Sequence, residues 1–500
     1  MNFIMIIVCV IIVIILLAFI DKIKNKRFYD LLKQFPSHPT LPLIGNLHML
    51  RGSKDDLLTR AINIMLPEDR LVFWVGPIPC LVLRKCEDIM AIFNQSQHRE
   101  TLNLLNEWLG TGILNADYGE WKKSRKILSP AFSSEMLTKY TDVFNKKASS
   151  LVDNLKPASV KGDIVDAWDY VIHINIDAIL ANTLGQCIQN TGKSEKNYCE
   201  AILEVFENIT QRVLLPWLHP HLFYLVYLKI TGRIKMLDHF KYLPTKVIKQ
   251  KLNMLRNNNT VLSSDEGTDD LSTTMVDLLI EKGSKETSFT ETRMRDEILQ
   301  LIATGTETTA LNVCFTLLML AMHQDIQQKV YEEITEVMSE NDTLAAEDSM
   351  NQLKYLEQCI KETSRMYSQA VLAFRRTHKD CLLTDEKIVP KDTFVVAALH
   401  LTHYDTDLYE NPSKWDPEHF SDQAIAKRPK GSELIFGYGP RLCIGARYSI
   451  ISSKTQIAHI LRNYHLATNI KEFTKDHLKT DLCIRSKIGY PIKFTSRRKT

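Results

Sequence analysis

No two of the ten cysteines stand in C-x-x-C spacing, which speaks against a zinc site or a thioredoxin-like redox motif. Nor do Cys9, Cys80, Cys86, Cys187, Cys199, Cys314, Cys359, Cys381, Cys443 and Cys483, spread thinly over 500 residues, read as a disulfide framework. Reduced thiols and a cytosolic setting for most of the mass are expected. Charge of either sign is scarce in excess: the formal net charge is +3. With no dense Arg/Lys–aromatic stretch, no nucleic-acid partner is expected. Internal repeats are absent, and no break divides the periodic segments, so one large domain with a short N-terminal appendage is expected. Thr191-Gly192-Lys193-Ser194 lacks the earlier glycine of a phosphate loop, because Cys187 stands in its place. Gly437-Tyr438-Gly439 lacks the third glycine of a dinucleotide fingerprint, Leu442 taking that position. No nicotinamide or flavin site is visible, so any electrons must come from a partner.

One long apolar run is present. Phe3 to Ile20 is an unbroken stretch of 18 apolar residues, just long enough to cross a bilayer core as a helix. Asp21, Lys22, Lys24, Lys26 and Arg27 follow it, so this flank is expected to stay cytoplasmic. A cleaved signal peptide is the alternative, but a basic region ahead of the run and an A-x-A-like site after it are both missing. Residues 1–20 are therefore expected to be a transmembrane anchor. Residues 21–46 read as a basic flank and proline-rich hinge, with Pro36, Pro39 and Pro42 stiffening an extended spacer. The main domain would span 47–500.

Leu71–Val75 and Cys80–Leu83 flank a Gly-Pro turn and read as a hairpin. Most of the chain from there to about residue 370 is helix-like. Ser288-Phe289-Thr290-Glu291 signals the start of a long helix with apolar positions Met294, Ile298, Leu301 and Ile302, continuing past Leu320. The polar stretch between Asn257 and Asp270 reads as a surface loop. Short strands are expected at 381–384, 387–389, 393–398, 482–485 and 492–494. The fold class is mainly α with small β-sheets.

The most specific signal is Phe436-Gly437-Tyr438-Gly439-Pro440-Arg441-Leu442-Cys443-Ile444-Gly445. Two glycines and a proline turn the backbone tightly ahead of the cysteine. An amphipathic helix begins after it, and a helix N-terminus favours thiolate. Gly445 permits a flat macrocycle close to the backbone. Arg441 carries charge suited to a carboxylate. In the long helix, Thr304-Gly305-Thr306-Glu307-Thr308-Thr309 interrupts an apolar pattern with a glycine and polar groups. An acid beside a hydroxyl could relay protons, and Gly305 could let the helix open. Threonines that back-bond within a helix are the plainer reading.

The cysteine loop resembles the haem-binding signature F-x-x-G-x-R-x-C-x-G of the cytochrome P-450 family, microsomal type, and the overall look is nearest to family 4. The family pattern A/G-G-x-D/E-T-T aligns its acid–alcohol pair with Glu307 and Thr308. Thr304 stands where some family 4 fatty-acid hydroxylases carry the glutamate that bonds haem covalently, so the resemblance does not imply a covalent link here. Glu362-Thr363-Ser364-Arg365 matches E-x-x-R; alone it is an ordinary solvated helix pair, but the resemblance implies a buried structural pair behind the haem. Its third partner falls in Pro417-Glu418-His419-Phe420, with His419 where arginine is commoner. That network is then expected to be weaker or pH-sensitive. Trp121-Lys122-Lys123-Ser124-Arg125 matches W-x-x-x-R, and Arg375 rather than Arg376 is the second arginine expected near a propionate.

The resemblance spans essentially the whole chain and implies a single large haem domain holding haem b. Cys443 would be the axial thiolate, with Trp121, Arg125, Arg375, Phe436, Gly439, Arg441 and Gly445 binding the cofactor. Glu307 and Thr308 would be catalytic. The implied activity is insertion of one oxygen atom of O2 into a lipophilic substrate (a fatty acid, an isoprenoid or steroid hormone, or a xenobiotic). Electrons would come from NADPH through a reductase, with cytochrome b5 a further partner and Lys122, Lys123 and Lys126 a docking face. Residues 102–114 and 371–374 are implied pocket segments, and the endoplasmic reticulum membrane, catalytic domain in the cytosol, is the implied location. Two alternatives stay open: a haem-thiolate isomerase or dehydratase on the same fold, and a non-catalytic haem-binding protein.

Overall fold

The computed structural model describes residues 16, 20–52, 57–65, 67–98, 104–185, 193–256, 274–283, 289–338, 347–480 and 483–497. The expected anchor, apart from Leu16 and Ile20, lies outside the described residues, as do the 257–270 loop and the start of the 102–114 segment.

Nine helices carry the argument: α1 (Tyr118–Leu128), α2 (Ser134–Lys161), α3 (Trp168–Leu184), α4 (Lys193–Leu214), α5 (His221–Ile230), α6 (Ile234–Arg256), α7 (Glu291–Met322), α8 (Lys354–Met366) and α9 (Ala446–Asn463). The strands, in chain order, are β1 (Arg70–Val75), β2 (Ile78–Leu83), β3 (Ile164–Asp166), β4 (Ala373–Arg376), β5 (Cys381–Leu382), β6 (Ile388–Val389), β7 (Phe394–Ala397), β8 (Tyr464–Ala467), β9 (Leu478–Thr480), β10 (Ile484–Ser486) and β11 (Pro491–Ser496).

The helix α7 is the axis of the fold. Thr290 caps it, its side chain accepting from the Arg293 N–H at 3.2 Å, two residues into the expected start signal. From Met294 to Ala321 nearly every side chain is buried against α3, α6, α8 and α9. A helix apolar on all sides belongs either in a membrane or in a core, and the burial assigns this one to the core. Apolar packing of this extent, at about 25 cal/mol per Å2 removed from water, is what holds so many helices around one axis.

β1 and β2 form the expected hairpin, Val75 opposite Ile78 across Gly76-Pro77, with Gly76 at φ 61°. The sheet order is β1-β2-β7-β4, with β2 and β7 parallel. The proline-rich stretch does not stand off as a spacer: the Val72 N–H donates to Pro36 O at 2.8 Å and the Asn46 N–H to Trp74 O at 2.8 Å. Phe35 and Asn46 are buried. The backbone groups of β1's outer edge recruit this stretch as cover, which proline's missing donor does not prevent because its carbonyl still accepts. The strands β5, β6, β7, β10 and β11 fall within the expected segments give or take two residues; β3, β4, β8 and β9 have no counterpart in the sequence reading.

Candidate functional site

The cysteine loop begins in a single tight turn at Leu434–Phe436 and reverses through Gly437 and Gly439, at φ 82° and 73°, a backbone region that favours glycine. The Cys443 N–H donates to Phe436 O at 3.0 Å and the Leu442 N–H to Gly439 O at 2.9 Å, closing the loop on itself. Gly445 then caps α9. The result is unusual for a cysteine among the described residues: Cys443 is exposed, whereas Cys86, Cys199, Cys314, Cys359, Cys381 and Cys483 are buried. None of the described cysteines is in a disulfide. Deep burial pushes the thiols of Cys314 and Cys359 far up, which keeps them protonated and inert.

A matching notch interrupts α7. Thr304, Gly305 and Thr308 are half-buried on one face of a helix whose neighbouring residues are buried. One hydrogen bond joins the two elements just past this point, Thr309 Oγ1 to Ser449 Oγ at 3.3 Å. The helix runs unbroken through Gly305. A Cβ there would lie 3.0 Å from Ile179 Cδ1, so in this conformation the glycine serves close packing of α7 on α3 rather than an opening of the helix. Thr308 Oγ1 donates to Thr304 O at 2.6 Å, the back-bonded arrangement. Glu307 points elsewhere: its carboxylate accepts from Arg485 Nε at 2.8 Å and from Arg485 Nη2. Arg485, on β10, packs over the Trp168 ring at 5.5 Å. Sequence reasoning missed Arg485, since an isolated arginine in a short strand signals nothing by itself.

Cations gather around the cysteine loop. Arg125, on the inner side of α1, donates to Leu442 O at 2.9 Å. Burial lowers its pKa, while charge on Cys443 opposes that shift. Arg441 is buried, stacks on Trp121 at 4.3 Å and donates to Gln97 O and Ala116 O, both at 3.0 Å. Arg375 is buried over the Phe93 ring at 4.0 Å, whereas Arg376 reaches outward to Asp392 at 3.5 Å. The inward arginine of the pair is thus Arg375. Phe436, Gly439 and Gly445 are half-buried in the same loop, and nothing lies closer than 4.0 Å to a Cβ built at Gly445. An exposed sulfur, a flat open glycine and three guanidinium groups fit a planar cofactor with a soft metal and peripheral carboxylates.

Glu362 and Arg365 on α8 are fully buried, not solvated, joined at 2.7 and 2.8 Å. Arg365 also donates to His403 O at 2.6 Å. His419 completes the cluster at 3.0 Å from Glu362. A second polar cluster was not foreseen. Glu297 on α7, fully buried, accepts from Ile113 N at 2.7 Å, Arg293 Nε at 3.0 Å and the Ser124 hydroxyl of α1. Burial pushes its pKa up against those partners. Its signal in the sequence was a carboxylate at an apolar-periodic position with an arginine four residues earlier.

A groove of about 710 Å3 lies between Arg70, Lys85, Asp88, Asp405 and Asp407. It holds none of these site residues, and its charges neutralise one another, as in Arg70–Asp88 at 2.6 Å and Lys85–Asp405 at 3.0 Å.

A mostly helical domain with an exposed cysteine ahead of one helix and a polar notch in a buried axial helix defines a haem-thiolate class of protein. The profile of the cytochrome P450 family matches residues 36–494, and the chain belongs to that family. Cytochrome P450 4V2 of Homo sapiens is 27% identical over 467 residues, covering 91% of this chain and 88% of that protein. Cytochrome P450 4g1 of Drosophila melanogaster is 26% identical over 514 residues, covering 95% and 91%. A crystal structure of another cytochrome P450, CYP102L1, superposes with a TM-score of 0.77 at 20% identity, covering 93% of this chain and 99% of that one. The fold is that of the cytochromes P450, the relatives are of family 4, and the chain is a cytochrome P450 monooxygenase with a haem cofactor and thiolate ligation.

Proposed function

We propose that Cys443 is the axial ligand and that the protein is a membrane-bound monooxygenase of lipophilic, chain-like substrates, supplied with electrons from NADPH through a reductase. The observation that carries this is the exposure of Cys443 within a loop whose own hydrogen bonds and two left-handed glycines present it ahead of α9. Arg125, Arg375, Arg441 and the Trp121 indole would hold the propionates of haem b, and Gly445 leaves room for its plane. Haem bound there, with Cys443 as its thiolate, would supply the chemistry of dioxygen activation.

The chain's own residues then bind, orient and move protons. Thr308 presents a hydroxyl in the notch, its proton resting on Thr304 O at 2.6 Å. Glu307 stores a carboxylate one residue away, held by Arg485. Proton delivery requires that carboxylate to leave the guanidinium and turn towards Thr308, so the pair sets how readily the acid acts. Thr304 offers a hydroxyl rather than a carboxylate, which supports a haem held without a covalent bond.

Membrane attachment rests on the apolar run Phe3–Ile20 and on apolar side chains turned to solvent around α5, where Phe223 and Ile230 are 60% and 79% exposed. The relatives of family 4 support a microsomal location and a substrate of fatty-chain or hormone-like character. The exposed face of α1 carries Lys122, Lys123 and Lys126; Lys123 is engaged with Glu120 at 2.9 Å, so Lys122 and Lys126 would be the main contacts of an acidic reductase or of cytochrome b5.

The test is spectroscopic. The reduced, carbon-monoxide-treated protein is expected to give the red-shifted band of thiolate-ligated haem, and Cys443→Ala to abolish it with substrate oxidation. Retention of either in the variant refutes the assignment. A spin-state screen of fatty acids, isoprenoids and steroids, followed by product analysis, identifies the substrate.

A further inference from the structure

The ring of His419 meets an acceptor at both nitrogens. Nδ1 lies 3.0 Å from Glu362 Oε1, and Nε2 lies 2.6 Å from the backbone carbonyl of Glu410. A carbonyl can only accept. The Glu362 carboxylate is bound by Arg365 through both oxygens and also takes the Asp416 N–H at 2.9 Å, so it is ionised and accepts as well. A neutral imidazole has one donor and one acceptor nitrogen and would set a lone pair against an oxygen at one of these contacts. Only the doubly protonated ring satisfies both.

We propose that His419 works as an imidazolium clamp that fastens the 403–420 segment to the buried Glu362–Arg365 pair, making this support of the haem domain lose strength as pH rises past neutrality. The segment also meets α8 through the Asp416 N–H on Glu362 at 2.9 Å, Trp415 Nε1 on Thr363 Oγ1 at 3.1 Å and the Tyr404 hydroxyl on Met366 O at 3.2 Å. Arg365 holds its start through His403 O and reaches Lys414 O at 3.4 Å; His419 holds its end and, through Glu410 O, its middle.

The groups facing the ring support this. From α8 come Glu362 and Arg365. From the segment itself come Tyr404, whose ring lies 5.7 Å from the Arg365 guanidinium, Tyr409, whose ring meets His419 edge-on at 5.7 Å, and Asp416, Glu418 and Lys414. Arg428 covers the far side of Tyr409 at 4.5 Å and pairs with Glu433 at 3.6 Å. Burial alone would lower the imidazole's pKa, but the hydrogen bond and charge of Glu362 outweigh it and hold the group above its ordinary value. Glu362, for its part, stays below the usual carboxylate range despite burial, because Arg365 and His419 bind it. A histidine with a raised folded-state pKa gives stability that is whole below the unfolded value of about 6.5 and disappears as pH climbs through the folded value.

The haem-loaded full chain tests this by urea unfolding at pH 5.5 to 9 for the natural protein, His419→Arg and His419→Gln. As pH climbs from 5.5 to 9, the natural protein's unfolding constant, taken relative to that of His419→Gln, is expected to rise from its low acid value by about tenfold for each unit by which folding raises the imidazole's pKa. The advantage is greatest below pH 6.5 and fades above neutrality. His419→Arg, permanently charged, is expected to keep its advantage over His419→Gln across the range. A natural-minus-Gln difference that is flat in pH, or that grows with pH, overturns the proposal. Should the arginine variant fail to fold, the natural-minus-Gln comparison decides alone.

Discussion

Replacing Arg365 with methionine keeps most of the side chain's volume and removes only the charge and its donors. Glu362 would then remain fully buried with an ionised carboxylate, one imidazolium at 3.0 Å and one backbone N–H at 2.9 Å. The carbonyl of His403 would lose its donor at 2.6 Å as well. Breaking a buried ion pair from one side costs about 3–5 kcal/mol, because the remaining charge is stranded away from water. An orphaned carbonyl adds about 1–3 kcal/mol. Against a typical stability of about 5–15 kcal/mol, that takes a large share. The double variant Glu362→Leu with Arg365→Met removes both charges and is expected to cost less than the single change, since neither ion is left unpaired. Urea titration by tryptophan fluorescence, comparing midpoints at matched slopes, measures this. A loss below about 1 kcal/mol for Arg365→Met, or a double variant worse than the single, would refute the reading of this cluster as scaffold.

Other perturbations follow from the same geometry. Arg485→Gln leaves Glu307 buried without its cation, so a loss of about 1–3 kcal/mol in urea unfolding is expected, and Arg485→Lys should restore most of it. Gly110 sits at φ 62° with Asp296 Cγ only 2.0 Å from where a Cβ would go, so Gly110→Ala is expected to destabilise by more than the usual 1–3 kcal/mol of backbone strain. Gly305→Ala meets only the tip of Ile179 and, gaining helix propensity of about 1 kcal/mol, is expected to be near neutral; pairing it with Ile179→Val should relieve the contact. A strongly destabilised Gly305→Ala, measured the same way, would show that more than the Ile179 tip stands in the way.

The parts of this molecule that were legible in its sequence are those where chemistry forces an uncommon local pattern. The loop before Cys443 needs two glycines in a left-handed backbone region, and both are there to be read. The start of α7 follows from a threonine cap, and the β1–β2 hairpin from Gly-Pro between two alternating runs. What stayed hidden depends on contacts between distant segments. Arg485 finds Glu307 across 178 positions and Ser124 finds Glu297 across 173, and nothing local to Arg485 or Ser124 marks the contact. The proline-rich stretch misled for a similar reason: its composition predicts an extended chain, which it is, but not that β1's edge would take it up. Arg441 shows the same limit. Its charge suggested a ligand for a carboxylate, yet much of its donor capacity holds backbone carbonyls of Gln97 and Ala116.

That last contact explains how the two walls of the site keep register. Successive turns of α7 offer acceptors to a single strap of backbone: Asp296 to Thr111 N at 3.1 Å, Glu297 to Ile113 N at 2.7 Å, and Gln300 to Leu114 N at 2.7 Å. Gln300 also donates to Asn115 Oδ1 at 2.7 Å. The strap's end, Ala116 O, is held by Arg441, two residues before the cysteine. Glu297 simultaneously grips Ser124, next to Arg125, which reaches Leu442 O. Two polar routes therefore run from the axial helix to the cysteine loop, one through the strap and one through α1. Gly110 and Gly112 are small because those acceptors approach where a side chain would stand. Buried polar links of this kind are directional, so they fix a spacing that apolar packing alone would leave free to slide. The gap between the notch and Cys443 is in this sense set in part by Glu297, which binds the strap and α1 rather than the cysteine loop itself.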